Sequence, residues 1–279
     1  MSHKPPLMDA PSYRLAYKDD DFLGRPELRP VRLQLELLKP ELIQQEEQIR
    51  STVVVFGSTR IREPEAAQEI LDTALGKAQR HPRDELARVE VERARRLLAN
   101  ARYYTEAREF ARLVSAECQS QGQCDYVVVT GGGPGIMEAA NRGAADAGGK
   151  SIGLGIVLPG ETEPNPYITP SLCFQFHYFA IRKMHFLMRA RALVAFPGGF
   201  GTMDELFETL TLLQTRKIDP VPVLLFGRGY WEKIINFREM VMEGTISPRD
   251  LALFNYVETA REAWDVISAF TVGSDNAGA

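Results

Sequence analysis

Two stretches hold the residues best suited to chemistry: GGPGIMEAA (132–140) and GGFGTMDEL (198–206). Aligned without gaps, both read Gly-Gly-x-Gly-x-Met-acid. Each follows a β-branched or aliphatic run (YVVVT or ALVAFP) and precedes a helix-compatible segment. Glycine at 132, 133 and 135, and again at 198, 199 and 201, permits a tight turn and lets a ligand approach the main chain. Free N–H groups and the helix dipole then favour an anion, and a single phosphate is the natural guest. Thr202 stands where the earlier loop has Ile136. Its hydroxyl makes the later loop the better cradle. The earlier loop is expected to line the same mouth or to allow close helix packing.

Asp204 and Glu205 fall in the first turn after the later loop. Neighbouring helical residues point about 100° apart, so at most one of them faces a ligand. Glu205 lies three residues beyond Thr202 and shares its side of the helix. Upstream, HYFAIRKMHFLMRARALVAFP carries Arg182 and Lys183 toward the strand before the later loop. Arg182 is expected to reach the anion and Lys183 is a candidate substrate contact, whereas Arg189 and Arg191 read as a solvated or ion-paired face.

Other chemistries are disfavoured. Neither loop is the dinucleotide fingerprint, since Glu138 and Asp204 occupy the third glycine position. GGKS (148–151) lacks the first glycine of a Walker loop and leads into a strand. His177 and His185 are two helical turns apart, about 12 Å, too far to chelate one metal. No HExxH, Cys/His cluster or G-x-S-x-G elbow occurs. A carboxylate, an arginine and backbone amides remain.

These groups need an α/β frame. STVVVFGS, DYVVVT, KSIGLGIVL, SLCFQFH, ALVAFP and VPVLLFG read as buried strands, separated by helical or glycine-rich pieces. The alternation predicts a Rossmann-like three-layer sandwich with a mainly parallel sheet. Residues 51–279 are expected to form one nucleotide-binding domain, preceded by an arm and helices over 1–50. A helical insertion over about 64–121 should break at Pro82. PELRPVRLQLELLKPELIQQEEQIR reads as helix cut at Pro30 and Pro40, with Leu35, Leu38 and Leu42 as an apolar stripe for the main domain or a partner subunit. YWEKIINFREMVMEG reads as one amphipathic helix, with AREAWDVISAF as a last one.

The 279 residues, 44% hydrophobic and 25% charged, suit a globular chain. A net charge of -4 disfavours nucleic acid and anionic membranes as partners without excluding one small phosphate. No run is long enough for a bilayer span and the N-terminus lacks a secretion signal, so a cytoplasmic setting is expected. Three cysteines without Cys-x-x-Cys suit reduced thiols.

These residues resemble the LOG-type, lysine decarboxylase-like phosphoribohydrolases, in their longer bacterial branch. PGGFGTMDE (197–205) matches the P-G-G-x-G-T-x-x-E motif, RKMHF (182–186) matches the Arg-Lys segment and TGGGPGIMEAANRGA (130–144) matches the longer members. The resemblance implies hydrolysis of the N-glycosidic bond of a nucleoside 5′-monophosphate, such as AMP or a cytokinin riboside monophosphate, giving base and ribose 5-phosphate. It implies Arg182 and Glu205 as the catalytic pair. It implies Gly198, Gly199, Gly201 and Thr202 as the phosphate loop and Thr211 as a further ligand contact, while Gly132, Gly133, Gly135, Met137 and Lys183 are candidate substrate contacts on the reading of the residues themselves. It implies no metal, no cofactor and a homodimer or higher homo-oligomer. Short members commonly have Met-Gly where Met137 and Glu138 stand here. A pyridoxal phosphate decarboxylase would need a Schiff-base lysine, and the nearest string, SHK (2–4), lies in the arm. The alternative is a nucleotide-binding module without catalysis.

Overall fold

The computed structural model describes residues 7–119, 124–160 and 163–277. Ser2–Lys4 and the end of the insertion at 121 lie outside the described residues. Seven strands form one all-parallel sheet: β1 (Thr52–Phe56), β2 (Val127–Thr130), β3 (Ser151–Ile156), β4 (Cys173–Phe176), β5 (Ala190–Ala195), β6 (Val223–Phe226) and β7 (Asn255–Val257), in the order β4-β3-β2-β1-β5-β6-β7. The chain builds outward from β1 to β4 and returns to lay β5 on the other side of β1. The order of strand addition reverses there, although every strand stays parallel, and open α/β sheets bind ligands beyond the strand ends at such a point.

Helices cover both faces, as a parallel sheet requires. Alternation along β1 sends Val53 and Val55 into one layer with Phe110, Ile136 and Trp264. Val54 and Phe56 enter the other with Phe186, Leu206 and Trp231. Each such buried side chain contributes about 1.5–3 kcal/mol. The first layer holds α5 (Arg102–Cys118), α6 (Ile136–Asp146) and α11 (Ala260–Ala277); the second holds α2 (Arg29–Glu46), α7 (Phe179–Leu187) and α8 (Phe200–Gln214).

The insertion contains α3 (Pro64–Arg80), α4 (Glu85–Asn100) and α5. It breaks near Pro82 and again at Ala101. The α3–α4 pair has its own small core of Leu71, Ala74, Val91 and Ala94. α1 (Asp20–Leu23) and single 3-10 turns precede α2.

Two expectations need correction. Pro30 sits in the first turn of α2, where its missing N–H is harmless. Pro40 lies inside the helix without ending it; it is buried against the body, and that packing offsets the lost bond. The segment after β6 is two helices, α9 (Arg228–Ile234) and α10 (Phe237–Met242), because the Asn236 side chain accepts the Glu239 N–H at 3.0 Å and starts a new one. β7, three residues long, gave no periodic signal. Among the described residues no helix is long and apolar enough to cross a membrane.

Candidate active site

The later loop leaves β5 at Pro197 and enters α8. Its first intrahelical bond runs from the Met203 N–H to the Gly199 carbonyl at 3.0 Å. The amides of Phe200, Gly201 and Thr202 therefore have no intrahelical partner. A Cβ on Gly199 or Gly201 would meet nothing within 4 Å, and neither residue has positive φ. The fold itself demands glycine at neither place, so the space in front of this turn is free for a ligand. Gly198 differs: a Cβ there would stand 2.1 Å from Thr202 Oγ1, so glycine lets the Thr202 side chain fold back, buried, beneath the turn. Tyr230 on α9 fixes the turn from behind, its hydroxyl donating to the Gly198 carbonyl at 2.6 Å.

The earlier loop, between β2 and α6, is filled by the protein. The Gly132 N–H donates to Thr130 Oγ1 at 3.0 Å, and its carbonyl accepts from both the backbone and the side-chain amide of Asn165. The Gly133 carbonyl accepts from Asn165 Nδ2 at 3.1 Å. Gly132 and Gly135 both have φ +75, and a Cβ on Gly135 would lie 2.4 Å from the Ser58 carbonyl. Gly132 and Gly135 are thus turn and packing residues, not an open anion cradle. Met137 Cε covers Gly133, where a Cβ would stand 2.8 Å from it.

The loop after β1 joins the two. The Ser58 N–H donates to the Pro197 carbonyl at 3.0 Å, and the Ile136 N–H donates to the Ser58 carbonyl at 3.1 Å. Both glycine loops therefore sit at the C-terminal end of the central strands, on either side of β1. The sequence marks this linker only by Gly-Ser at the end of an apolar run.

Arg182, on α7, lies across this mouth. Its Nε donates to the Leu154 carbonyl at 2.8 Å, and its guanidinium stacks over Phe186 with Cζ 5.2 Å from the ring centre. Gly131 makes room for it: a Cβ there would stand 2.6 Å from Arg182 Nη2 and 2.9 Å from Met137 Sδ. Gly131 was not among the residues singled out from sequence, although it belongs to the same Gly-Gly-Gly run.

Glu205, one turn into α8, is 6% exposed, and among the described residues its carboxylate accepts no hydrogen bond. Burial raises its pKa to about 7, against the attraction of Lys183 and Arg182. Burial in turn lowers the Arg182 pKa while Glu205 opposes the shift. The two groups thus share one electrostatic environment. A buried carboxylate whose pKa is pushed toward neutrality, beside a desolvated cation, is suited to proton transfer near neutral pH.

Two candidates are placed elsewhere. Lys183 is held between Asp204 and Glu208, with Nζ 3.0 Å from each carboxylate, so its charge is spent within the protein. Its field still reaches Glu205. Thr211 is exposed and donates to the Phe207 carbonyl at 2.7 Å. Nine residues beyond Thr202, it lies about 13 Å down the helix axis, and the structure does not bring it to the loop. Glu138 turns away from the mouth, accepting the Tyr104 hydroxyl at 2.9 Å from the inserted α5.

Against this geometry, comparison with known proteins is informative. A family model described as "Possible lysine decarboxylase" matches residues 137–267. A probable cytokinin riboside 5′-monophosphate phosphoribohydrolase of Oryza sativa subsp. japonica is 33% identical over 129 residues, 44% of this chain and 50% of that protein. A second from the same organism is 31% identical over 149 residues, 52% of this chain and 68% of that protein. The chain belongs to this LOG family. It spans about half the length of the first of these LOG relatives. Among solved structures, the molybdenum cofactor carrier protein of Chlamydomonas reinhardtii aligns with 80% of this chain and 96% of its own at 18% identity and TM-score 0.46. The family match begins at Met137 and so includes Arg182, the later loop and Glu205, while β1, β2 and α2 precede it.

Proposed function

We propose that this LOG-family protein hydrolyses the N-glycosidic bond of a nucleoside 5′-monophosphate, releasing the base and ribose 5-phosphate. The observation that carries the reading is the buried Glu205 carboxylate, without a hydrogen-bond donor among the described residues, one turn beyond an open run of backbone amides. The phosphoribohydrolase names of the relatives agree with it.

In this reading the amides of Phe200, Gly201 and Thr202 hold the 5′-phosphate, and that binding energy places the anomeric carbon beside Glu205. As the C1′–N bond breaks, its electron pair leaves with the base and positive charge develops on the ribose. Glu205 stabilises this charge and takes a proton from the water that attacks C1′. The base nitrogen gains a proton as it departs. Arg182 holds the phosphate or polarises the leaving base.

Incubation with AMP, CMP, UMP and N6-isopentenyl-AMP tests the proposal. Free base from at least one of them is expected. Tight binding with no base released from any would instead assign the site to nucleotide binding alone.

We also propose a homo-oligomer. Val31, Leu35, Leu38 and Leu42 repeat at heptad spacing on α2, and all four are exposed, the leucines by about half. Light scattering should show at least a dimer; a stable monomer contradicts it.

A further inference from the structure

The N-terminal helix α2 grips the helix that carries Arg182 at both ends, although its sequence is some 140 residues away. At the start of α7 the two Glu36 carboxylate oxygens accept the backbone N–H groups of His177 and Tyr178 at 3.0 and 3.1 Å. These amides precede the first turn, where orphan donors and the positive end of the helix dipole favour a carboxylate. The sequence supplies no local cap: Tyr178, at the N-cap position, makes no side-chain cap bond. Arg32 Nε reaches the Tyr178 hydroxyl at 3.3 Å. Beyond the other end, Glu41 forms a two-pronged pair with Arg189, one bond measuring 2.7 Å. Between the two carboxylates, Pro40 removes the amide that would have taken the Glu36 carbonyl, and that carbonyl faces the buried His185 ring on α7.

This arrangement is more than packing. A nine-residue helix is too short to be stable by itself and takes its position from its neighbours. Arg182 sits on it between the two grips, and the guanidinium has little latitude: it is fixed by the Leu154 carbonyl and stacked on Phe186, in space that only a glycine at 131 leaves open. A small rotation or slide of α7 moves that guanidinium directly, out of the space that Gly131 leaves open by having no Cβ. We propose that α2 is a positioning clamp for Arg182, with Glu36 as its principal residue. Glu36 touches no substrate; it acts through the register of α7. The inference rests on the reading above only in giving Arg182 a part in turnover or nucleotide binding.

A double-mutant cycle separates positioning from general support. In the full chain, Glu36→Ala should lower kcat/KM for the preferred nucleoside monophosphate about tenfold, in proportion to a sub-ångström displacement of the guanidinium. Glu36→Gln keeps one acceptor and should recover most of that loss, which also guards against a variant that merely folds poorly. In an Arg182→Ala background, neither Glu36 change should alter the residual rate. Losses that multiply across both backgrounds, or no loss in either, overturn the clamp. If the wild-type protein releases no base, the same cycle read on AMP affinity still decides the role of Glu36, so failure of the hydrolase reading and failure of the clamp remain distinct. Faster amide exchange over 178–189 in Glu36→Ala is expected in either case, and unchanged exchange there contradicts the proposal.

Discussion

The earlier and later glycine loops share a pattern of residues and differ in what occupies them. In the earlier loop the Gly132 amide is taken by Thr130 and two carbonyls are taken by Asn165, and positive φ or a close backbone contact accounts for Gly132 and Gly135. In the later loop Gly199 and Gly201 have neither positive φ nor any neighbour where a Cβ would stand. Glycine that the fold requires marks a tight turn of the structure. Glycine that the fold does not require marks room for something absent from the chain. The difference teaches that a repeated motif is not a repeated site: one loop braces the mouth and the other opens into it.

The largest expected effect breaks the later loop from its chemistry. Glu205→Gln should lower turnover by about 10²-fold or more while nucleotide binding survives, measured by steady-state kinetics beside calorimetry. An unaltered rate removes Glu205 from the mechanism.

A crossed pair of substitutions sharpens the contrast itself. Gly135→Ala forces a Cβ against the Ser58 carbonyl at a left-handed position and should destabilise the fold by about 2–3 kcal/mol, seen as a lower Tm. Gly201→Ala lies in an open helical turn, so Tm should hold or rise slightly, yet nucleotide affinity should fall about tenfold. Equal behaviour of the two variants would erase the distinction.

The smallest effect is on pH. With its pKa raised from 4.5 to about 7, Glu205 is protonated in the folded chain at pH values where the unfolded chain has released the proton. This term stabilises the fold fully below pH 4.5 and is lost as pH rises through about 7. Activity that needs the carboxylate runs the other way, rising through about pH 7 toward a plateau. Lys183→Met removes a cation that lowers the Glu205 pKa and should move that rise to higher pH. A profile flat between pH 6 and 8 would contradict the assignment.

Much of the frame could be read from residue order. Apolar runs of four to six residues gave six of the seven strands, and the glycine turns marked the strand ends where the sheet opens. What escaped was tertiary. Nothing in GGGPG says that Asn165, on a distant loop, will fill the earlier turn, or that Arg182 will need the space above Gly131. Lys183 and Arg182 are adjacent in sequence, yet only the fold turns one into an ion pair with Asp204 and the other toward Glu205. Thr211 lies on the right helix but too far along it. Pro40 looked like a helix end because its burial could not be seen. The grip of α2 on α7 has no spacing rule at all, since the single carboxylate of Glu36 caps a helix some 140 residues further along the chain.

The claim that the later loop holds a phosphate so that Glu205 meets the sugar is tested most directly by comparing a nucleoside 5′-monophosphate with the same nucleoside lacking the phosphate. In the wild-type protein kcat/KM for base release should favour the monophosphate by about 10²-fold or more, and Gly201→Ala should shrink that preference. Equal rates for the two compounds, or a preference that Gly201→Ala leaves untouched, would contradict the account.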